Sequence, residues 1–112
     1  MGACFEVYKE KGCGFLESVY QECLEIEFRN CRIPFDAQSQ INLNYKEIEL
    51  KQNYIPDLIC FEKIIFEIKA ISKIVDKHRS QVLNYLHATN LKLGILINFG
   101  YHPKFEYERI VL

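Results

Sequence analysis

Several things are scarce in this 112-residue chain, and each scarcity excludes something. No apolar run approaches the roughly 20 residues that a membrane-crossing helix needs. The longest nearly apolar stretch, Leu91 to Phe99, still contains Lys92 and Asn98. The N-terminus has no basic segment followed by a long apolar one, so no signal peptide is expected and the cytoplasm is the expected location. Met1-Gly2 is followed at position 6 by Glu6, where myristoylation would call for Ser or Thr. A charge excess is also missing. Fourteen basic residues against fifteen acidic ones give a net charge of -1, which argues against coating nucleic acid by bulk charge. The five cysteines are odd in number and contain no CxxC pair, so a zinc ribbon, a thioredoxin-like site and a disulfide scaffold are poorly supported. Buried free thiols in a reducing compartment are expected instead, because free Cys behaves as a small hydrophobe. No internal repeat, low-complexity tract or linker is visible.

What is present points to one folded domain over residues 1–112. Aromatic residues make up 13% of the chain and supply burial that a disordered sequence lacks. The charge is unevenly spread. Residues 1–56 carry 6 basic and 9 acidic side chains, a balance of -3; residues 57–112 carry 8 and 6, a balance of +2. The positive excess gathers at Lys69, Lys73, Lys77 and Arg79.

Periodicity gives the elements. A short helix is expected over 3–10, broken by Gly12-Cys13-Gly14. From Phe15 to Asn30, Leu16, Val19, Tyr20, Cys23, Leu24 and Phe28 form the 3.6-residue stripe of an amphipathic helix, and Pro34 prevents its continuation. Ile41, Leu43 and Tyr45 alternate with polar residues as in a strand with one wet face, and Ile48 to Lys51 is a weaker strand candidate. Asp57 to Phe61 and Ile64 to Lys69 are nearly continuous in apolar residues, like strands covered on both faces. Asp76 is a suitable N-cap for a helix running to about Thr89, with Val82 and Leu86 facing the core. Leu91 to Asn98 reads as a further buried strand, reached by a crossover from Ile64–Lys69, and Phe105 to Val111 as an edge strand. Two N-terminal helices, a mixed sheet and one crossover helix predict an α/β layered domain.

Against this apolar background, three charges stand out. In strand 64–69 the side chains alternate, so Ile65, Glu67 and Lys69 share one face. The neighbouring strand opens with Asp57. Unpaired charges on doubly covered strands cost several kcal/mol, so something must offset them. A divalent cation between two carboxylates, with Lys69 beside it, does so; a structural Lys69 salt bridge at a wet strand end is the alternative. Register discriminates. A two-residue turn at Glu62-Lys63 would pair Asp57 with Ile68 and put Asp57 on the wrong face. A three-residue loop at 61–63 would pair Asp57 with Glu67, so the cation reading requires that loop or a bulge. Gln81 and Tyr85 share a face of the crossover helix, as do Glu17 and Tyr20 on the second helix. Dipole stabilisation is a sufficient reason for Glu17, and core packing for the two tyrosines. His78 is read as a surface or supporting residue.

The stretch Gly14-Phe15-Leu16-Glu17-Ser18-Val19-Tyr20 resembles the signature of the GxxExxY protein family. The resemblance continues through Pro56-Asp57, Glu67-Ile68-Lys69, Gln81-Val82-Leu83-Asn84-Tyr85, Leu93-Gly94 to Asn98-Phe99-Gly100, and the closing Arg109-Ile110-Val111-Leu112. That family is placed in the PD-(D/E)xK nuclease superfamily, with a restriction-endonuclease-like α/β/α fold around a central mixed sheet. The resemblance implies Asp57 and Glu67 as ligands of Mg²⁺ or Mn²⁺, the Ile68 backbone carbonyl as another, and Glu17 as one that can complete the set. It implies Lys69 as the residue that activates water and steadies phosphate charge. It further implies Gln81 as orienting the site and Tyr85 as contacting a phosphate. Some related branches, akin to exonuclease V, carry an iron–sulfur cluster; the cysteine spacing here does not match, and none is expected. Lys73, Lys77 and Arg79 are expected to guide a nucleic-acid backbone, DNA before RNA. With no appended recognition domain and no bulk positive charge, a homodimer or protein partner is expected to add grip. The competing expectation is a catalytically idle nuclease fold serving as an accessory or protein-interaction module.

Overall fold

The computed structural model describes all 112 residues. The stripe read from the sequence becomes the buried face of helix α2, Glu17–Asn30, through Tyr20, Leu24 and Phe28. Burying each such side chain is worth about 1.5–3 kcal/mol. Helix α1, Gly2–Lys11, lies against α2 and buries Ala3, Cys4 and Val7. The strands follow as β1 (Phe35–Ala37), β2 (Ile41–Tyr45), β3 (Ile48–Tyr54), β4 (Leu58–Cys60) and β5 (Ile64–Lys69). Helix α3 (Asp76–Thr89), β6 (Leu93–Asn98) and β7 (Glu106–Val111) complete the chain.

The main sheet has the order β1-β4-β5-β6-β7; β5 and β6 are parallel and the other pairs antiparallel. It is therefore mixed, as expected. Side-chain alternation along β4 and β5 divides the core in two. Leu58, Cys60, Phe66 and Ile68 join the cluster under α1 and α2. Ile59 and Ile65 join Val82, Leu86, Leu96 and Ile110 on the α3 side. Both central strands are thus covered on both faces, the reason for their near-continuous apolar sequence.

The β4–β5 hairpin pairs Leu58 with Phe66, Ile59 with Ile65 and Cys60 with Ile64. Phe61, Glu62 and Lys63 form the connection, with Phe61 and Glu62 in left-handed conformations (φ 56° and 59°). This is the three-residue loop that the cation reading required.

The segment after Lys69 is held down from β6. Buried Asn98 accepts hydrogen bonds from the backbone N–H groups of Ile71 (2.9 Å) and Gly100 (3.0 Å) through Oδ1. Its amide donates to Glu106, which also accepts the N–H of Ile74 (2.6 Å). Gly100 packs so closely that a Cβ would lie 2.4 Å from the Ile71 carbonyl oxygen.

Several boundaries differ from the expectations. Strand β1 was not anticipated; it has three residues and is recognisable only by its pairing with β4. Strand β3 runs on to Tyr54, and β2 and β3 form a separate two-stranded ribbon outside the main sheet. Asp76 is the first helical residue of α3, not its N-cap; Val75 holds the cap position, and its N–H donates to His78 Nδ1 (3.0 Å). Of the five free thiols only Cys4 and Cys60 are buried, while Cys13 and Cys31 are exposed. Burial pushes the Cys4 thiol up to about 12 and Cys60 up to about 11, so both stay protonated. No helix is long and apolar enough to cross a membrane.

Candidate active site

The site forms where β4 begins and β5 ends. One step beyond the Leu58–Phe66 pair, the register sets Asp57 opposite Glu67. Both belong by alternation to the α3 face, with Lys69 two residues further along. Glu67 is 7% exposed, an unusual setting for a carboxylate.

Each carboxylate is held by a neutral donor. The Ile68 backbone N–H donates to Asp57 Oδ2 (2.7 Å). The Tyr54 hydroxyl donates to Glu67 Oε1. Neither acid has a cationic partner within ion-pair distance; the ion pairs are Arg29–Glu25, Arg79–Asp76 and Arg79–Glu108. The structural Lys69 salt bridge is therefore not formed. Burial, reinforced by the charge of Asp57, pushes Glu67 up to about 7. Burial also raises Asp57; the Ile68 N–H opposes the rise and the charge of Glu17 adds to it.

Lys69 is oriented from α3. Its Nζ donates to Gln81 Oε1 (3.4 Å), and Gln81 Nε2 donates to the Tyr85 hydroxyl (2.7 Å). The Tyr85 ring stacks on Tyr54 with the planes 16° apart. A continuous chain of contacts therefore runs from Glu67 through Tyr54, Tyr85 and Gln81 to Lys69. Two hollows flank it. One, of about 590 Å³, is lined by Glu17, Glu22, Glu25 and Asp57. The other, of about 730 Å³, is lined by Lys69, Lys77, His78, Gln81 and Tyr85. Acidic and basic surroundings thus meet at the strand end.

The acids suit a hard divalent cation. Their donors are all oxygens, and neither is held in an ion pair. No group of three or more His, Cys, Asp or Glu residues converges closely enough to hold a metal, so Glu17 does not form one cluster with Asp57 and Glu67. Glu17 shares its hollow with Asp57, whereas Glu67 stands on the α3 face of the sheet. A cation here would draw on two carboxylates, with the Ile68 carbonyl and water completing its shell, a ligand poverty that Mg²⁺ tolerates.

The sequence profile of the PD-(D/E)XK nuclease superfamily matches residues 1–110. The chain belongs to the PD-(D/E)XK nuclease superfamily. Nucleases of this superfamily generally use divalent metals such as Mg²⁺. The fold is similar to the crystal structure of SSO0001, with a TM-score of 0.61 and 20% identity over 84% of this chain and 48% of that one. The chain thus spans about half the length of that protein, and the likeness is one of fold. No curated protein matches the chain.

Within this PD-(D/E)XK chain, the remaining expected residues divide. Gln81 and Tyr85 reach the site; Lys77 lines the basic hollow, and Lys73 is exposed on the loop pinned by Asn98. Arg79 departs from expectation. Its guanidinium holds Glu108 through Nε (2.7 Å) and Nη2 (2.6 Å) and Asp76 through Nη1 (2.6 Å), so it is committed to fastening α3 to β7. Tyr20 is a core residue: its hydroxyl donates to the Gly12 carbonyl (2.6 Å) and accepts the Phe15 N–H (3.2 Å). Gly14, at φ 114°, lets that turn form. In the Gly14-x-x-Glu17-x-x-Tyr20 stretch, Glu17 and its neighbour Ser18 therefore line the acidic hollow, and Gly14 and Tyr20 build the turn.

Two residues at the site were missed. Gln21 donates to the Asp57 carbonyl (2.8 Å) and to Glu25 (3.1 Å). Its position one turn after Glu17 was the available signal. Tyr54, three residues before Asp57, had no periodic signal, because its ribbon lies outside the main sheet.

Proposed function

We propose that this protein is a Mg²⁺-dependent nuclease that hydrolyses phosphodiester bonds in nucleic acid, DNA in preference to RNA. The observation that carries the reading is the facing pair Asp57 and Glu67, buried without a cationic partner beside the oriented amine of Lys69. In this reading Asp57, Glu67 and the Ile68 carbonyl hold the cation. Bound there, the cation offsets charge on the phosphate and eases proton loss from the attacking water. Lys69 supplies positive charge to the phosphate and orients the water. Gln81 fixes the direction of that amine, and the Tyr85 hydroxyl lies where a neighbouring phosphate can be contacted. Lys73 and Lys77 draw in the backbone through long-range attraction. Glu17 faces the acidic hollow and tunes Asp57 through its charge. Residues 1–112 act as one domain, and a second copy or a protein partner adds grip on the substrate.

The test is cleavage of single- and double-stranded DNA and RNA with Mg²⁺ or Mn²⁺. Glu67→Ala and Lys69→Ala are each expected to abolish cutting while far-UV circular dichroism is retained. Parent-like cutting by both variants would refute the assignment. Failure of either metal to bind at millimolar concentration would leave the chain as an accessory module built on a nuclease fold.

A further inference from the structure

We infer that Tyr54 is a positioning residue for the cation site: its hydroxyl locks the Glu67 carboxylate, and its ring ties that lock to the arm that aims Lys69. The inference rests on the nuclease reading and adds a residue to it.

Three observations meet at this side chain. Tyr54 is 7% exposed, and its hydroxyl donates to Glu67 Oε1. Its ring is stacked on Tyr85, whose hydroxyl accepts from Gln81, which in turn accepts from Lys69. Asp57 is held in the parallel manner by the Ile68 N–H on Oδ2. Each acid therefore has one oxygen fixed by an uncharged protein donor.

The chemical identity of the donor matters. A lysine or arginine in place of Tyr54 would orient Glu67 equally well but would neutralise its charge and compete with a cation. A phenol donates one hydrogen bond and brings no charge. It restricts the carboxylate while leaving its negative charge for the ion. Hydrogen-bond partners of metal ligands characteristically act in this way, and their loss costs about 10–100-fold in metal affinity. The aromatic body serves a second purpose. A flexible donor would lose rotamer freedom on every binding event, whereas a stacked ring is already fixed. Tyr54 also ends strand β3, so the β2–β3 ribbon is anchored at the site through the same residue. Ile41, its register partner on β2, packs against the α3-side core and fixes that end of the ribbon.

The experiment is Mn²⁺ titration by calorimetry on the full chain, without nucleic acid, for the parent, Tyr54→Phe, Tyr85→Leu and Tyr85→Phe. Tyr54→Phe keeps the ring and loses only the hydroxyl; it is expected to weaken Mn²⁺ binding by about 10-fold or more. In cleavage assays the same variant should need a higher metal concentration for half-maximal rate, with kcat recovered largely at saturation. Tyr85→Leu removes the ring behind Tyr54 and leaves the Tyr54 and Glu67 side chains themselves unchanged. It is expected to weaken Mn²⁺ binding several-fold, and Tyr85→Phe to restore it. This second set decides the matter should Tyr54→Phe not fold. Mn²⁺ affinities within twofold of the parent for Tyr54→Phe and Tyr85→Leu would overturn the role of Tyr54 and leave the nuclease reading standing. Absence of Mn²⁺ binding by the parent would overturn both.

Discussion

Glu67 carries its carboxylate where charge is costly, and that cost can be measured. Burial and the charge of Asp57 raise its pKa from 4.5 to about 7. In the metal-free protein the folded state therefore holds a proton between about pH 7 and 4.5 that the unfolded chain has released. Stability should rise as pH falls through that window, and ionising Glu67 at pH 8 should cost on the order of 2–4 kcal/mol. His78 works the other way, since burial and the nearby Lys69, Lys77 and Arg79 lower its pKa. The difference between parent and Glu67→Gln isolates the glutamate. In EDTA, Glu67→Gln should be more stable than the parent at pH 8, and the gap should close towards pH 5. Urea melts at the two values check this; an unchanged gap would contradict it. Saturating Mg²⁺ should remove most of the parent's dependence in this window, because the ion favours the charged form.

At the scale of elements, a single loop length decides whether the two acids meet. With Phe61, Glu62 and Lys63 between the strands, Asp57 faces Glu67. Glu62→Asn with Lys63→Gly favours the two-residue turn that pairs Phe61 with Ile64 and Asp57 with Ile68, and so sends Asp57 to the opposite face. That variant should lose Mn²⁺ binding in calorimetry while keeping its helical circular dichroism. The loop after β5 offers a second test. Asn98→Ala leaves the Ile71 and Gly100 N–H groups without their acceptor and should cost about 1–3 kcal/mol for each group that stays unsatisfied, read from urea unfolding. Much of this architecture was legible in the residues. The α2 stripe, the doubly covered β4 and β5, the crossover helix over 76–89 and the 61–63 loop all follow from periodicity and from the need to bring Asp57 to Glu67. What escaped depends on tertiary partners. Strand β1 is too short to show a period and exists through its pairing with β4. Tyr54 becomes part of the site only because a ribbon outside the sheet ends against Glu67. Arg79 looked free among neighbouring cations, and nothing local announced that β7 would bring Glu108 to it.

For the whole molecule, a net charge of -1 means that any grip on nucleic acid must be local. The basic hollow around Lys69 and Lys77, with Lys73 on the adjoining loop, is the surface for it. Lys73→Ala and Lys77→Ala should each weaken binding and reduce the slope of log affinity against log salt by about 1. Arg79→Ala should leave that slope unchanged, because its guanidinium is taken up by Glu108 and Asp76. Its effect should appear in thermal melts instead. Glu108 has its pKa lowered by Arg79, so the support from this pair is present above the ordinary glutamate value and fades as pH falls through the lowered one. Salt-dependent fluorescence anisotropy separates the two lysines from the arginine; an equal loss of slope for all three would contradict the division.

Whether Asp57 and Glu67 together hold a divalent cation is read out by anomalous diffraction from crystals equilibrated with Mn²⁺. The parent should show an anomalous peak within coordination distance of both carboxylates, and Glu67→Ala should lose it. A parent crystal with no peak between them, or with Mn²⁺ bound only elsewhere, would contradict it.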